Sequence, residues 1–164
     1  MNGAAASYYG VSSVGAAIHR CKYENGGDFP DFLLKLTLKA FRKKYGQQKF
    51  DYICYVPPTE SGDLVKNFTE KLSSVLKIPI SHKLKKISVT KPQKVFQNSY
   101  LKKENVSGAF KYENPSEIRN KSILIFDDIF DSGVTIKEIG NLLTSYGANT
   151  IAPIVIARTV GGDI

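Results

Sequence analysis

The stretch from Ser122 to Ala157 constrains the fold of this chain more than any other part of the sequence. Ser122 to Phe126 (SILIF) is a continuous apolar run, which is typical of a strand covered on both faces of a sheet. A helical pattern follows from about Thr135 to Tyr146, and Thr150 to Ala157 is a second apolar strand, whose Pro153 predicts an edge position or a bulge. Strand, helix and strand in this order favour an α/β fold with a mainly parallel sheet.

The same alternation occurs upstream. A helix capped by Asp28 or Asp31 is predicted to end at Gly46, because the apolar residues between them recur at helical spacing. Phe50 to Val56 is rich in aromatic and β-branched residues and predicts a buried strand. A second helix is expected from about Gly62 to Leu76. The chain therefore contains two successive units of strand and helix.

Length and composition indicate a globular protein. The chain has 164 residues, 42% of them hydrophobic, which suits a single domain over residues 8–164 preceded by a tag or disordered start at residues 1–7. Neither a signal peptide nor an apolar run of membrane-spanning length is present, so we expect a cytoplasmic location without membrane contact. Two cysteines, Cys21 and Cys54, are too few for a disulfide framework.

Charge points to anionic partners. The net charge is +8, and residues 81–104 are rich in lysine and predict a long basic loop or arm. Such a balance suits phosphates, nucleotides or nucleic acid, although a solvated lysine-rich surface is also common.

The candidate functional residues follow the end of the apolar strand. Asp127 and Asp128 stand at its carboxyl end, where ligands of open α/β sheets bind. The following turn into the helix contains Asp131, Ser132, Gly133, Val134 and Thr135. A helix N-terminus offers free N–H groups, glycine allows close approach of an anion, and the two hydroxyls add donors. Carboxylates that accept hydrogen bonds from vicinal hydroxyls, next to a phosphate cradle, predict a ribose phosphate site.

Other interpretations of this segment remain open. Two adjacent carboxylates after a strand can hold a metal ion, and Asp-x-Ser-Gly can be only a capped turn. A Walker B strand also ends in carboxylates, but it requires a GxxxxGK[ST] loop, and the sequence contains none.

The segment from Ile123 to Thr135 resembles the signature of type I phosphoribosyltransferases for 5-phosphoribosyl-1-pyrophosphate (PRPP). Four hydrophobic residues, two acidic residues and two hydrophobic residues precede a small Ser/Thr/Gly-rich loop, with Phe130 larger than the usual aliphatic residue. The resemblance implies a parallel sheet flanked by helices, with a small hood and a flexible basic loop. It implies that Asp127 and Asp128 are catalytic residues that anchor the ribose hydroxyls. It further implies that residues 131–135 bind the 5′-phosphate and that Mg²⁺ accompanies PRPP, held by ligand oxygens and water and possibly by the two aspartates.

The first loop and the basic arm extend this resemblance. The family's pyrophosphate loop corresponds here to Pro57, Pro58, Thr59 and Glu60, which lack the arginine common in that loop. Lys91-Pro92-Gln93 and Asn105 to Phe110 resemble the ComF-like subgroup linked to DNA uptake, so Lys91 and Gln93 are the candidate residues of the flexible loop.

Both ends of the chain resemble something narrower. Tyr9 to Ser12, Ile18 to Tyr23 and Ala157 to Asp163 are similar to the ComF-like domain attached to some bacterial RecQ-type DNA helicases. Since helicase motifs are lacking, this resemblance implies a C-terminal part of a longer protein.

Two functions are consistent with these observations. The first is transfer of a phosphoribosyl group from PRPP to a nitrogen base with release of pyrophosphate. The alternative is a non-catalytic module that binds a nucleotide or DNA, attached to a RecQ-type helicase. A homodimer and nucleic-acid contact through the basic surface are further expectations. Tyr23, Phe29 and Tyr112 are candidates for stacking a base, although core packing is the commoner role of such residues.

Overall fold

A computed structural model describes residues 3–10, 12–24, 27–58, 62–88 and 107–159. The strands are β1 (Ala4–Tyr8), β2 (Tyr52–Tyr55), β3 (Leu84–Lys86), β4 (Phe110–Tyr112), β5 (Ser122–Phe130) and β6 (Thr150–Arg158). The helices are α1 (Ser13–His19), a π-helical turn (Arg20–Glu24), α2 (Asp31–Tyr45), α3 (Leu64–Leu76), a 3₁₀ turn (Pro115–Ile118) and α4 (Val134–Ser145).

Four of the strands form a parallel sheet in the order β1-β6-β5-β2. Strands β3 and β4 pair antiparallel in a separate two-stranded sheet. The mainly parallel α/β fold predicted from the order of the elements is confirmed.

The first strand corrects an expectation about the N-terminus. Residues 1–7 were expected to lie outside the fold, but Ala4–Tyr8 pairs with β6, with Ala4 opposite Ile154 and Tyr8 opposite Arg158. The side chains of this strand are mostly small and show little pattern. Strand β1 lies at the edge of the sheet because its backbone forms hydrogen bonds with β6, and the amino-acid composition of the segment does not indicate such pairing.

The expectation for Pro153 was also wrong. Strand β6 is an interior strand, because β1 covers one side of it and β5 the other. Pairing with β1 begins only at Ile154, and the carbonyl oxygen of Pro153 accepts a hydrogen bond from the Tyr45 hydroxyl at 2.8 Å. A proline is tolerated here because β1 does not extend to this position.

Helices cover both faces of the sheet. On one face α1, α2 and α3 pack against strand residues that include Ile53, Leu124 and Phe126. On the other face, α4 and the β3–β4 sheet pack against Ile123 and Ile125. Side chains therefore alternate between two apolar layers along β5, as the continuous apolar run predicted.

Details of the helices differ from the predictions. Pro30, rather than Asp28 or Asp31, occupies the N-cap position of α2, without a side-chain hydrogen bond. Asp28 instead accepts a hydrogen bond from Asn67 and pairs with Lys71, both on α3. Within the described ranges, no helix is long and apolar enough to cross a membrane.

Candidate functional site

The acidic pair lies inside β5 and not in the turn after it. The strand was expected to end at Phe126, but it continues to Phe130 and keeps its pairing with β6. Val56, at the end of β2, donates its backbone N–H to the Phe126 carbonyl at 2.9 Å. Pro57 and Pro58 consequently follow β2 at the edge of the sheet where the two aspartates lie.

The two carboxylates differ in their surroundings. Consecutive side chains of a strand point to opposite faces, so Asp128 shares the face of Phe126 and the layer of α1 to α3. Asp128 is 4% exposed, whereas Asp127 is half-buried. The Asp127 carboxylate accepts the backbone N–H of Asp128 at 2.9 Å, which orients it.

A lysine from the N-terminal part of the chain contacts this pair. The Lys22 ammonium, on the π-helical turn, lies 2.7 Å from Oδ2 of Asp128. The two side chains are 15% and 6% exposed, so this ion pair is largely removed from water. Apart from Lys22, Oδ2 of Asp128 contacts no hydrogen-bond donor in the described part of the chain.

Burial and charge set the protonation of these groups. Removal from water raises the pKa of Asp127 well above its usual value, and the negative charge of Asp128 raises it further. Burial alone lowers the pKa of Lys22, but the Asp128 carboxylate outweighs this and raises the pKa overall. The arrangement therefore favours a charged lysine and one carboxyl group that holds its proton more tightly than usual.

The turn from Asp131 to Thr135 leads into α4. Gly133 has a φ of +70° and precedes the first residue of α4, and as the N-cap residue it has no side chain to cap the helix. The hydroxyls of Ser132 and Thr135 make no hydrogen bond to the described residues. The turn thus leaves backbone and hydroxyl donors available to an anion.

A residue after β6 holds this turn in place. The Thr159 hydroxyl donates a hydrogen bond to Oδ1 of Asp131 at 3.1 Å, and the Thr159 backbone N–H donates to the Phe130 carbonyl at 2.9 Å. Sequence reasoning gave Thr159 and Lys22 no role in the site, although both lie in the terminal segments that resemble a ComF-like domain, because they are far from Asp131 and Asp128 along the chain.

The remaining predicted residues are those of the two loops and the aromatic candidates for stacking a base. Thr59, Glu60, Lys91 and Gln93 lie outside the described residues. Phe29 and Tyr112 are buried in the core, at 2% and 0% exposure, so they do not present a ring to a base. Tyr23, the residue after Lys22, is 48% exposed.

The side chains around Asp127 and Asp128 suit a metal ion that arrives with a ligand better than a metal ion held by the protein alone. In the described segments no group of three or more histidine, cysteine or acidic side chains is placed to hold a metal ion. Two adjacent carboxylates, one of them paired with Lys22, leave most of the coordination of Mg²⁺ to phosphate oxygens and water.

Comparison with known proteins identifies a family. The sequence profile of the family described as "Phosphoribosyl transferase domain" matches residues 67–161. The "DNA utilization protein YhgH" of Shigella flexneri is 28% identical over 154 residues, and that of Salmonella typhimurium is 26% identical over 155. Each alignment covers 87% of this chain and 66% of the relative, so the chain spans slightly less than two thirds of these proteins.

Solved structures share the fold. An adenine phosphoribosyltransferase superposes with a TM-score of 0.53 at 15% identity, covering 80% of this chain and 72% of that one. Glutamine PRPP amidotransferase from B. subtilis superposes with a TM-score of 0.51 at 17% identity, covering 75% and 26% respectively.

Proposed function

Because the chain belongs to the phosphoribosyl transferase domain family, we propose that it binds PRPP with Mg²⁺ and transfers the phosphoribosyl group to a nitrogen base. One observation carries the proposal: a carboxylate pair stands near the end of β5, before a helix N-terminus whose Ser132 and Thr135 hydroxyls make no hydrogen bond to a described residue. The carboxylates accept hydrogen bonds from the two ribose hydroxyls, and the turn donates hydrogen bonds to the 5′-phosphate.

The residues of this chain assist loss of pyrophosphate from the anomeric carbon. Positive charge develops on the sugar in the transition state, and the carboxylates of Asp127 and Asp128 stabilise it electrostatically. Ser132, Gly133 and Thr135 fix the 5′-phosphate, so that the sugar is held in one orientation. Pro57, Pro58, Thr59 and Glu60 are the candidate loop for pyrophosphate, and Lys91 and Gln93 are the candidates for a loop that closes over the site. When bound, Mg²⁺ neutralises pyrophosphate charge.

A second candidate function is a non-catalytic module that binds nucleic acid. The relatives are named DNA utilization proteins, and the net charge is +8. On α2, Lys35, Lys39, Arg42 and Lys43 are exposed and make no ion pair with a described acidic residue. Attachment to a RecQ-type helicase rests only on the resemblance at the two ends of the chain. A cytoplasmic location and a homodimer also remain predictions.

Ligand screening separates the two functions. Thermal-shift measurements with PRPP, nucleoside monophosphates and pyrophosphate, each with Mg²⁺, are expected to give the largest rise in melting temperature for PRPP. An Asp128→Asn variant that folds normally is expected to lose this rise. Binding of DNA oligonucleotides at low salt, falling steeply as salt increases, without any response to PRPP, would favour the binding module and contradict the enzyme.

A further inference from the structure

The ion pair with Lys22 engages Asp128, one of the two carboxylates of the proposed ribose site. The Asp128 side chain is 6% exposed, and the Lys22 ammonium lies 2.7 Å from its Oδ2 atom. Because the ammonium occupies one acceptor direction of this buried oxygen, a hydroxyl group of a ligand competes with Lys22 for it. Binding of a ribose diol at Asp128 therefore requires Lys22 to move or to share its partner.

A lysine ammonium that leaves a carboxylate needs another anion. Burying the charge without a partner is costly, and Lys22 is only 15% exposed. Neutral hydroxyls can replace the ammonium at Asp128, but they do not compensate the charge of Lys22. Lys22 can leave Asp128 favourably when the ligand itself brings an anionic oxygen close to the diol, because that oxygen then becomes the new partner of the ammonium.

PRPP has such a group next to its diol. The pyrophosphate stands on C1 of the ribose, which is bonded to C2 and its hydroxyl, whereas the 5′-phosphate extends from the other side of the ring. Residues 131–135 offer donors for the 5′-phosphate, while Pro57, Pro58, Thr59 and Glu60 contain no basic side chain for the pyrophosphate. Of the described cations, Lys22 is the one that reaches the acidic pair.

We propose that Lys22 is the cation that binds the pyrophosphate of PRPP, exchanging Asp128 for a pyrophosphate oxygen when the ribose hydroxyls bind the carboxylate. This inference rests on the proposed function. It makes Lys22 a specificity-determining residue, because the exchange favours a ligand that carries both a diol and an anion on C1. The π-helical geometry of residues 20–24 agrees with this role, since π-helical turns are frequent at functional sites.

Isothermal titration calorimetry with two ligands tests the proposal. PRPP and ribose 5-phosphate, each with Mg²⁺, are titrated into the wild type, Lys22→Gln and Lys22→Arg. We expect Lys22→Gln to weaken PRPP binding by about tenfold or more, as for a lost charge-assisted hydrogen bond, and to weaken ribose 5-phosphate binding far less. Lys22→Arg is expected to retain most of the preference for PRPP.

A matched control is Lys71→Gln, which removes a lysine from an exposed ion pair with Asp28 at 3.2 Å, away from the acidic pair. It is expected to leave both affinities unchanged. Melting temperatures of all variants verify folding. If Lys22→Gln is unstable, Lys22→Ser takes its place in the titrations with the same expectation, because its small side chain also lacks the positive charge but lets water reach Asp128.

The outcomes distinguish this inference from the proposed function. A wild type that binds neither ligand contradicts both. If the wild type binds PRPP, but removal of the positive charge in Lys22→Gln weakens the two ligands equally or neither of them, Lys22 is a structural ion-pair residue. The inference then fails while the proposed function stands.

Discussion

Gly133 lies directly against the ring of Phe130. A Cβ atom built on Gly133 would be 2.4 Å from Cζ of that ring, far closer than atoms approach in a folded protein. Gly133 also has a φ of +70°, which side chains rarely adopt. Phe130 and Gly133 therefore form a complementary pair, which fixes the backbone of the turn that is proposed to bind phosphate.

Substitution of Gly133 is expected to destabilise the protein more than substitution at a comparable glycine. Gly133→Ala adds the strain of a left-handed backbone and a clash with Phe130, together about 3 kcal/mol. Gly108 has a φ of +65° but nothing within 4 Å of its Cβ position, so Gly108→Ala is expected to cost about 1 kcal/mol, from backbone strain alone. Urea unfolding measures both.

The second substitution Phe130→Leu, combined with Gly133→Ala, is expected to recover the part of the loss that comes from the clash. Equal losses for Gly133→Ala and Gly108→Ala, or no recovery in the double variant, would contradict this account of the turn.

The ion pair of Lys22 is expected to be strongly coupled to Asp128. Lys22→Met leaves a buried carboxylate without its partner, and we expect the free energy of unfolding to fall by about 3 kcal/mol. In Lys22→Met with Asp128→Asn, most of this loss should be recovered, because no unpaired charge remains. A double-mutant cycle by denaturant unfolding measures the coupling. Additive effects would show that the two side chains do not interact. Lys71→Met, in an exposed pair, serves as the control and is expected to change stability little.

Asp127 is expected to reduce stability at neutral pH. Its pKa in the folded protein is raised above the unfolded value of about 3.9, so the folded state binds more protons and stability falls as pH rises through the folded pKa. Asp127→Asn is therefore expected to be more stable than the wild type at pH 7, by about 1 kcal/mol for each unit of raised pKa, with the difference vanishing near pH 4.

Asp51 provides the opposite control. Its carboxylate accepts the Ser122 backbone N–H at 2.8 Å, and this hydrogen bond lowers the pKa of Asp51. Its contribution to stability is present above the unfolded pKa and is lost as pH falls through the folded pKa. Asp51→Asn should thus destabilise the protein at pH 7. Urea unfolding from pH 4 to pH 8 measures the free energy of unfolding of both variants. If Asp127→Asn and Asp51→Asn changed it in the same direction at pH 7, the opposite pKa shifts assigned to the two carboxyl groups would be wrong.

The hydroxyls of the turn are expected to act on phosphate and not on sugar. Ser132→Ala with Thr135→Ala should weaken ribose 5-phosphate and PRPP by about tenfold, and unphosphorylated ribose far less, because only the phosphate accepts their hydrogen bonds. Ser145→Ala, at the other end of the same helix, is the matched control. Calorimetric losses that are equal for phosphorylated and unphosphorylated ligands would argue against the cradle.

Local sequence was sufficient for the part of the site that lies between Ser122 and Ser145. The apolar run of β5, the turn at Gly133 and the helical spacing of α4 each follow from neighbouring residues, and the structure contains all three. The end of β5 was placed too early, because pairing of Ile129 and Phe130 with β6 extends the strand beyond the acidic pair. A sequence pattern cannot show how far a neighbouring strand reaches.

By itself, the sequence determined the order of strands and helices and the residues that resemble a ribose phosphate site, since both depend on side chains close together in the chain. Only the tertiary structure decided that Lys22 covers Asp128, that Thr159 holds Asp131, and that Ala4–Tyr8 completes the sheet. These contacts join segments that are distant in sequence. They form because the packed sheet brings its strand ends together, and no local pattern records which side chains meet there.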